Sequence, residues 1–307
     1  ENKMVSFSQL VTVSLALLPG AWGAYCHGSP DPDAPSNDND ILALNTTVVK
    51  TVTDGKLLKA NTDTENEFYI LHLYGSDSYS NGYAQGQLLQ EELQSFFQDT
   101  WTYMESQITD SLPGYFPDWF QEKLANWAMD EALDWTANVM MPYIDNDFLA
   151  EIQGLADGSG VDYDMILRVH MLPEATQGHC SMFGAWGSAL ADKEGLLQLR
   201  ALDWDTDGPF RDYASVTVYH PPDEDRNAYA NIAFIGYVGS ITGMNNQQMA
   251  ISEIGVSYPD ETFGEQSRYG VPFTVLLRDI LKKDQSIDAA LDRITNANRT
   301  CDLILGV

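Results

Sequence analysis

The sequence predicts an α+β fold in which helices come first and an antiparallel sheet follows. Three observations carry that prediction. Between about residues 82 and 170, apolar side chains recur at helical spacing. After Cys180 they fall instead into short runs of β-formers. Turn residues separate those runs: Pro221-Pro222, Asn245-Asn246 and Pro259-Asp260. The chain thus divides into a targeting segment over 1–24, a loose acidic segment over 25–60, a helical front part over 61–179 and a sheet-bearing back part over 180–307.

Residues 10–18 are an apolar run of signal-peptide length, and small residues follow at Gly23 and Ala24. The run is too short to span a bilayer, and no later stretch is long enough. The chain is therefore expected to enter the secretory path and to end up secreted or lysosomal, with no integral membrane segment once the leader is removed. Pro, Asp, Ser and Asn then dominate and predict a loose segment. Two sequons, at Asn45 and Asn298, would be glycosylation acceptors in that compartment.

Residues 68–74 predict a strand closed by Gly75. Asn81 is placed to cap a helix over 82–104, with Leu88, Leu89, Leu93, Phe96 and Phe97 on its buried side. Gly82 and Gly86, four apart, share one face of that helix, where another backbone can approach. Pro113-Gly114 breaks the chain, and a second helix is predicted over 118–140. Helices over 148–156 and 163–170 follow, the first stopped by Gly158-Ser159-Gly160. Strands are predicted over 214–220, 228–237 and 249–258, and helices over 271–283 and 286–294, the last capped by Ser286. The apolar run 303–307 reads as a strand, with further sheet expected beyond it.

The centre of the chain is a predicted hairpin. Residues 180–187 and 196–202 are apolar runs joined by Ala191-Asp192-Lys193-Glu194-Gly195. A hairpin brings its outer ends together, so Cys180 should lie near Arg200 and Asp203. A thiol, a fixed cation and a carboxylate at one sheet edge are the parts of a nucleophilic site. A lone cysteine in an apolar strand is more often a small buried hydrophobe, and an Arg near an Asp an ordinary ion pair. Arg200 and Asp203 are three apart, so a regular strand would place them on opposite faces.

The formal net charge is -29. Nucleic-acid phosphates would be repelled, as would an anionic membrane. Such a balance suits a secreted, lysosomal or halotolerant protein. Cysteines stand at 26, 180 and 301 only, which is no disulfide scaffold, and Cys26 and Cys301 are open to pairing with each other or elsewhere. Asp203-x-Asp205-x-Asp207-Gly208 opens like a calcium loop, but the twelfth position is Ala214 rather than Glu. With five scattered histidines and no H-E-x-x-H or C-x-x-C, neither a metal nor a cofactor is expected.

Several pieces, in order, resemble the cysteine branch of the N-terminal-nucleophile hydrolases, which includes acid ceramidase and penicillin acyltransferase, and phospholipase-B-like secreted proteins. They are Leu71-His72-Leu73-Tyr74-Gly75 with Gly82-Tyr83-Ala84-Gln85-Gly86, the helix Glu151-Ile152-Gln153-Gly154-Leu155, Cys180-Ser181, Arg200-x-x-Asp203, and the run from Thr242-Gly243-Met244-Asn245-Asn246 to Ile251-Ser252-Glu253. The resemblance implies a four-layer αββα sandwich. It implies self-cleavage between His179 and Cys180, giving a two-chain product, with Cys180 as nucleophile and its new α-amine as base. It makes Asp203 the holder of that amine, Arg200 the partner of the thiolate or carbonyl, and Glu253 a further site carboxylate. The implied activity is hydrolysis of a linear amide, an N-acyl lipid or N-acyl amino compound. Acyl transfer, a phospholipase-type esterase and a non-catalytic lipid- or partner-binding protein remain open on the same scaffold. A papain-like pair is disfavoured, because His179 adjoins Cys180 and strand neighbours face opposite ways.

Overall fold

A computed structural model describes residues 45–62, 67–110, 120–121, 124, 128–175, 180–190, 195–202, 208–222, 226–255 and 268–307. The chain divides into Glu1–Ala43 and Leu44–Val307, and only the second unit is described here. The expected targeting segment and Cys26 lie outside the described residues. No helix among the described residues is long and apolar enough to cross a membrane.

The fold is α+β. The strands are β1 (Thr46–Val52), β2 (Gly55–Ala60), β3 (Phe68–Leu73), β4 (Cys180–Trp186), β5 (Leu196–Leu202), β6 (Ala214–Tyr219), β7 (Tyr229–Phe234), β8 (Thr242–Asn245), β9 (Ala250–Gly255) and β10 (Leu303–Gly306). The helices are α1 (Ser78–Leu88), α2 (Gln90–Asp110), α3 (Met129–Met140), α4 (Asn146–Ser159), α5 (Tyr163–Ala175), α6 (Phe273–Lys283) and α7 (Ile287–Asn296). Eight strands form one sheet in the order β1-β2-β3-β6-β7-β8-β9-β10, and β4-β5 form a separate ribbon. Each described pairing in the large sheet is antiparallel except β3 with β6, which runs parallel with Tyr69 opposite Ser215.

That parallel pairing revises the expected division of the chain. The sheet is not confined to the part after Cys180; β1, β2 and β3 are built from residues before it. Residues 46–60, expected to be loose, form a hairpin in which Val52 faces Gly55 across a two-residue turn. The turn residues are Thr53 and Asp54, with Gly55 opening the second strand, and the polar Thr and Lys residues around them obscured the hairpin.

The helix expected over 82–104 is two helices, broken at Leu89, whose backbone leaves the helical region at φ -128° and ψ 35°. The cap is Asp77 rather than Asn81. Its carboxylate accepts from the Ser80 amide at 2.7 Å, while the Asn81 side chain turns back to accept from the Gly75 amide at 2.8 Å. An Asp four residues upstream offered the stronger acceptor. Ser286 caps α7 as expected, accepting from the Ala289 amide at 3.2 Å.

Helices α1 and α4 touch backbone to backbone. A Cβ at Gly82 would meet the Glu151 carbonyl oxygen at 1.9 Å, and one at Gly154 would meet the Tyr79 carbonyl oxygen at 2.1 Å. Gly86 and Gly158 continue the contact one turn on. Beneath α1 and α2, Leu57, Leu71, Leu73, Leu88, Leu89, Phe96 and Phe97 are all but fully buried. On one face of β8, Gly243 lies under Leu281 of α6. On the opposite face, Thr242 meets Arg200 of the β4-β5 ribbon. Helices, sheet and ribbon therefore stack in that order around β8.

Candidate functional site

The ribbon register sets the site. Cys180 pairs with Leu202, Met182 with Arg200 and Gly184 with Gln198. Paired residues share a face, so Cys180, Met182 and Arg200 all point the same way. That face is turned toward the large sheet. The Ser252 hydroxyl donates to Met182 Sδ at 2.8 Å, and the Arg200 Nε–H donates to Thr242 Oγ1 at 2.8 Å. The ribbon thus rests on the strands that carry Thr242, Ser252 and Glu253.

Cys180 is half-buried, and its thiol approaches Glu253 Oε1 at 3.8 Å. Glu253 is 4% exposed. Burial pushes its carboxyl above the ordinary glutamate range, and the Arg200 guanidinium and the Cys180 thiol pull the other way. A thiol, a buried carboxyl and a guanidinium are therefore brought together from β4, β9 and β5. Thr242 holds Arg200 in place, and sequence reasoning had not given it that role. A Thr in another sheet, 42 residues from the Arg, carries no sequence signal.

Two of the expected site residues, His179 and Asp203, lie outside the described residues, and so does the turn at 191–194. Asn45 and Asn298 are described, and both are exposed.

The three histidines among the described residues have other work. His170 Nδ1–H donates to the Ile166 carbonyl at 2.7 Å, and its Nε2 accepts from the Val238 amide at 2.9 Å. That leaves it no nitrogen for a thiol. His220 Nε2 and His72 Nδ1 share a hydrogen bond of 2.8 Å, with the rings stacked. Cys301 donates to Glu174 Oε2 at 3.1 Å. Burial and that carboxylate push its thiol well above the usual range, so it is a poor nucleophile.

No protein-family profile matches the sequence. Among curated proteins, the chain is similar to protein dcd1A of Dictyostelium discoideum, 38% identical over 292 residues, covering 92% of this chain and 63% of that protein. It is also similar to protein dcd1B of the same organism, 35% identical over 263 residues, covering 84% of this chain and 51% of that protein. The chain spans between half and two thirds of the length of these relatives.

Proposed function

We propose that this chain carries the nucleophile of a cysteine-type amidohydrolase that opens linear amides, in an N-acyl lipid or N-acyl amino compound. The reading rests on one observation above others: the Cys180 thiol lies 3.8 Å from a buried Glu253 carboxyl, with Arg200 on the same ribbon face. A buried cysteine serving only as packing does not call for a carboxyl and a guanidinium beside it.

On this reading the chain cuts itself between His179 and Cys180. Cys180 then begins a new polypeptide with a free α-amine, whose reference pKa near 8 lets it accept the thiol proton. Asp203 holds that amine. The thiolate attacks the amide carbonyl, the C–N bond breaks, and the amine leaves with the proton. Water then opens the thioester to release the acid. Arg200, braced by Thr242, lies beside the developing negative charge. Glu253, neutral over a wider pH range than a surface glutamate, is available to donate toward the substrate.

A four-layer αββα sandwich belongs to the same proposal. The face of the ribbon turned from the sheet carries Phe183, Leu197 and Leu199, exposed at 61%, 65% and 59%. An apolar sheet face of that kind calls for a covering layer. Entry into the secretory path is part of the proposal too, and the exposed sequons at Asn45 and Asn298 are in keeping with it.

The test is mass spectrometry of the purified protein with N-terminal sequencing of any back fragment. A fragment beginning at Cys180 is expected, and Cys180→Ala should abolish both the cut and turnover. An active preparation whose chain is intact across residues 179–180 would sink the mechanism. Acyl transfer passes through the same thioester, and competition between water and an added amine separates the two outcomes.

A further inference from the structure

An open cleft lies at the head of α1, lined by residues of the β3–α1 loop, by Pro221, Pro222, Arg226 and Asn227 between β6 and β7, and by one side of α6. It belongs to neither the ribbon nor the thiol. Three cationic side chains line it: Arg226, Arg278 and Lys282. Their convergence in a chain of net charge -29 calls for an explanation.

The hydrogen-bond inventory supplies one. Glu151, 1% exposed, has both oxygens engaged: Oε1 accepts from Tyr219 at 2.8 Å and Oε2 from Arg278 Nη2. Asp77, the other lining carboxylate, already accepts from the Ser80 amide. Lys282 donates to Ser78 Oγ at 3.1 Å and to Asp147 Oδ2 at 3.0 Å, which leaves a third N–H. Ser78 accepts that bond and keeps its own hydroxyl proton to give. Deeper still, the Tyr229 hydroxyl is buried against the Arg278 guanidinium, which can only donate to it, so the hydroxyl proton and the Arg278 Nε–H have no acceptor among the described residues. These residues are 4% and 1% exposed, and both line the cleft. The unmet groups are donors, while Glu151 has both oxygens engaged and Asp77 already faces Ser80 and Arg226. An unmet buried donor is costly, because it has given up its bond to water. The Ser78 and Tyr79 amides, which precede the capped Ser80 amide, add donors with no acceptor inside the helix.

We propose that this cleft binds a tetrahedral oxyanion, a phosphate or sulfate group, either free or as the headgroup of a small ester. Such a group offers several acceptor oxygens and the negative charge that three cations favour, at a helix N-terminus that favours it as well. Arg226 and Lys282 supply the charge, and Ser78, Tyr229 and Arg278 Nε supply the directed bonds. Burial and the adjacent Arg278 hold the Lys282 ammonium below the ordinary lysine range, a penalty that a bound anion relieves.

The experiment is a melting-temperature titration of the whole chain with inorganic phosphate, at ionic strength held constant with sodium chloride. A saturable rise with phosphate is expected. Arg226→Gln should weaken binding at least tenfold. Tyr229→Phe should cut the response to phosphate, read as the rise over that variant's own ligand-free melting temperature. Glycerol 3-phosphate forms a second arm: binding as tight as phosphate points to an ester headgroup, and binding of phosphate alone points to the free ion. A melting temperature that follows ionic strength whatever the anion overturns the proposal, as does undiminished phosphate affinity in both variants. Cys180→Ala should bind phosphate like the parent, so failure here and failure of the amidohydrolase reading are told apart.

Discussion

His170 is the clearest case of a single residue setting a property of the fold. It is 1% exposed, and both its nitrogens are bonded to backbone groups. Tyr237 stacks on its ring at 4.9 Å. Burial lowers its pKa to about 4. In the unfolded chain the same ring titrates near 6.5, so between those values the unfolded state holds the extra proton. Its contribution is complete above pH ~6.5 and is lost as pH falls toward 4, by about 3 kcal/mol in all. Urea unfolding at pH 7 and pH 4.5 should show that loss, and His170→Asn should flatten it while lowering stability at pH 7. Glu253 has the opposite sign. Its folded pKa is raised, so its ionised form weighs on the fold as pH rises through that value. Glu253→Gln should therefore be neutral or slightly stabilising at pH 7 and yet lower turnover, a split that a purely structural glutamate would not give.

At the scale of elements, the crossing of α1 and α4 is tightly constrained. Four glycines leave no room for a methyl group, because the atoms opposite are backbone rather than movable side-chain ends. Gly154→Ala would drive a Cβ against the Tyr79 carbonyl oxygen. A loss of about 3 kcal/mol is expected, at the upper end for overpacking because both helices must separate. A falling urea midpoint at unchanged slope would report it. An Ala variant as stable as the parent would mean the helices are further apart than described. Gly82 and Gly86 advertise one half of this contact in the sequence by their spacing. Gly154 and Gly158 carry the same spacing, but nothing local says that the two faces meet.

At the scale of the molecule, two features dominate. A charge of -29 makes the folded chain repel itself, and salt screens that repulsion over distances that shrink from about 30 Å at 0.01 M to about 10 Å at 0.1 M. The melting temperature should rise as sodium chloride is raised across that range. The shared sheet is the second feature. Because β3 pairs with β6 along its length, a cut before Cys180 would leave the two pieces hydrogen-bonded within one sheet. They should co-elute on gel filtration and separate only in denaturant.

The sequence alone determined most of the helices around the core, and the hairpin that brings Cys180 near Arg200. These follow from periodicity, turn residues and the two-residue repeat of a strand, which act over a few neighbours. Asp77 as the cap, and the hairpin over residues 46–60, were within reach of the same rules and were hidden by competing local signals. Tertiary structure decided the rest. It brought Glu253 to a thiol 73 residues away, set Thr242 against Arg200, and ran β3 beside β6. It also gathered Arg226, Arg278 and Lys282 into one acidic chain's cationic cleft. Contacts of that kind arise because buried polar groups must find partners wherever the packed chain provides them, and no local pattern records where that will be.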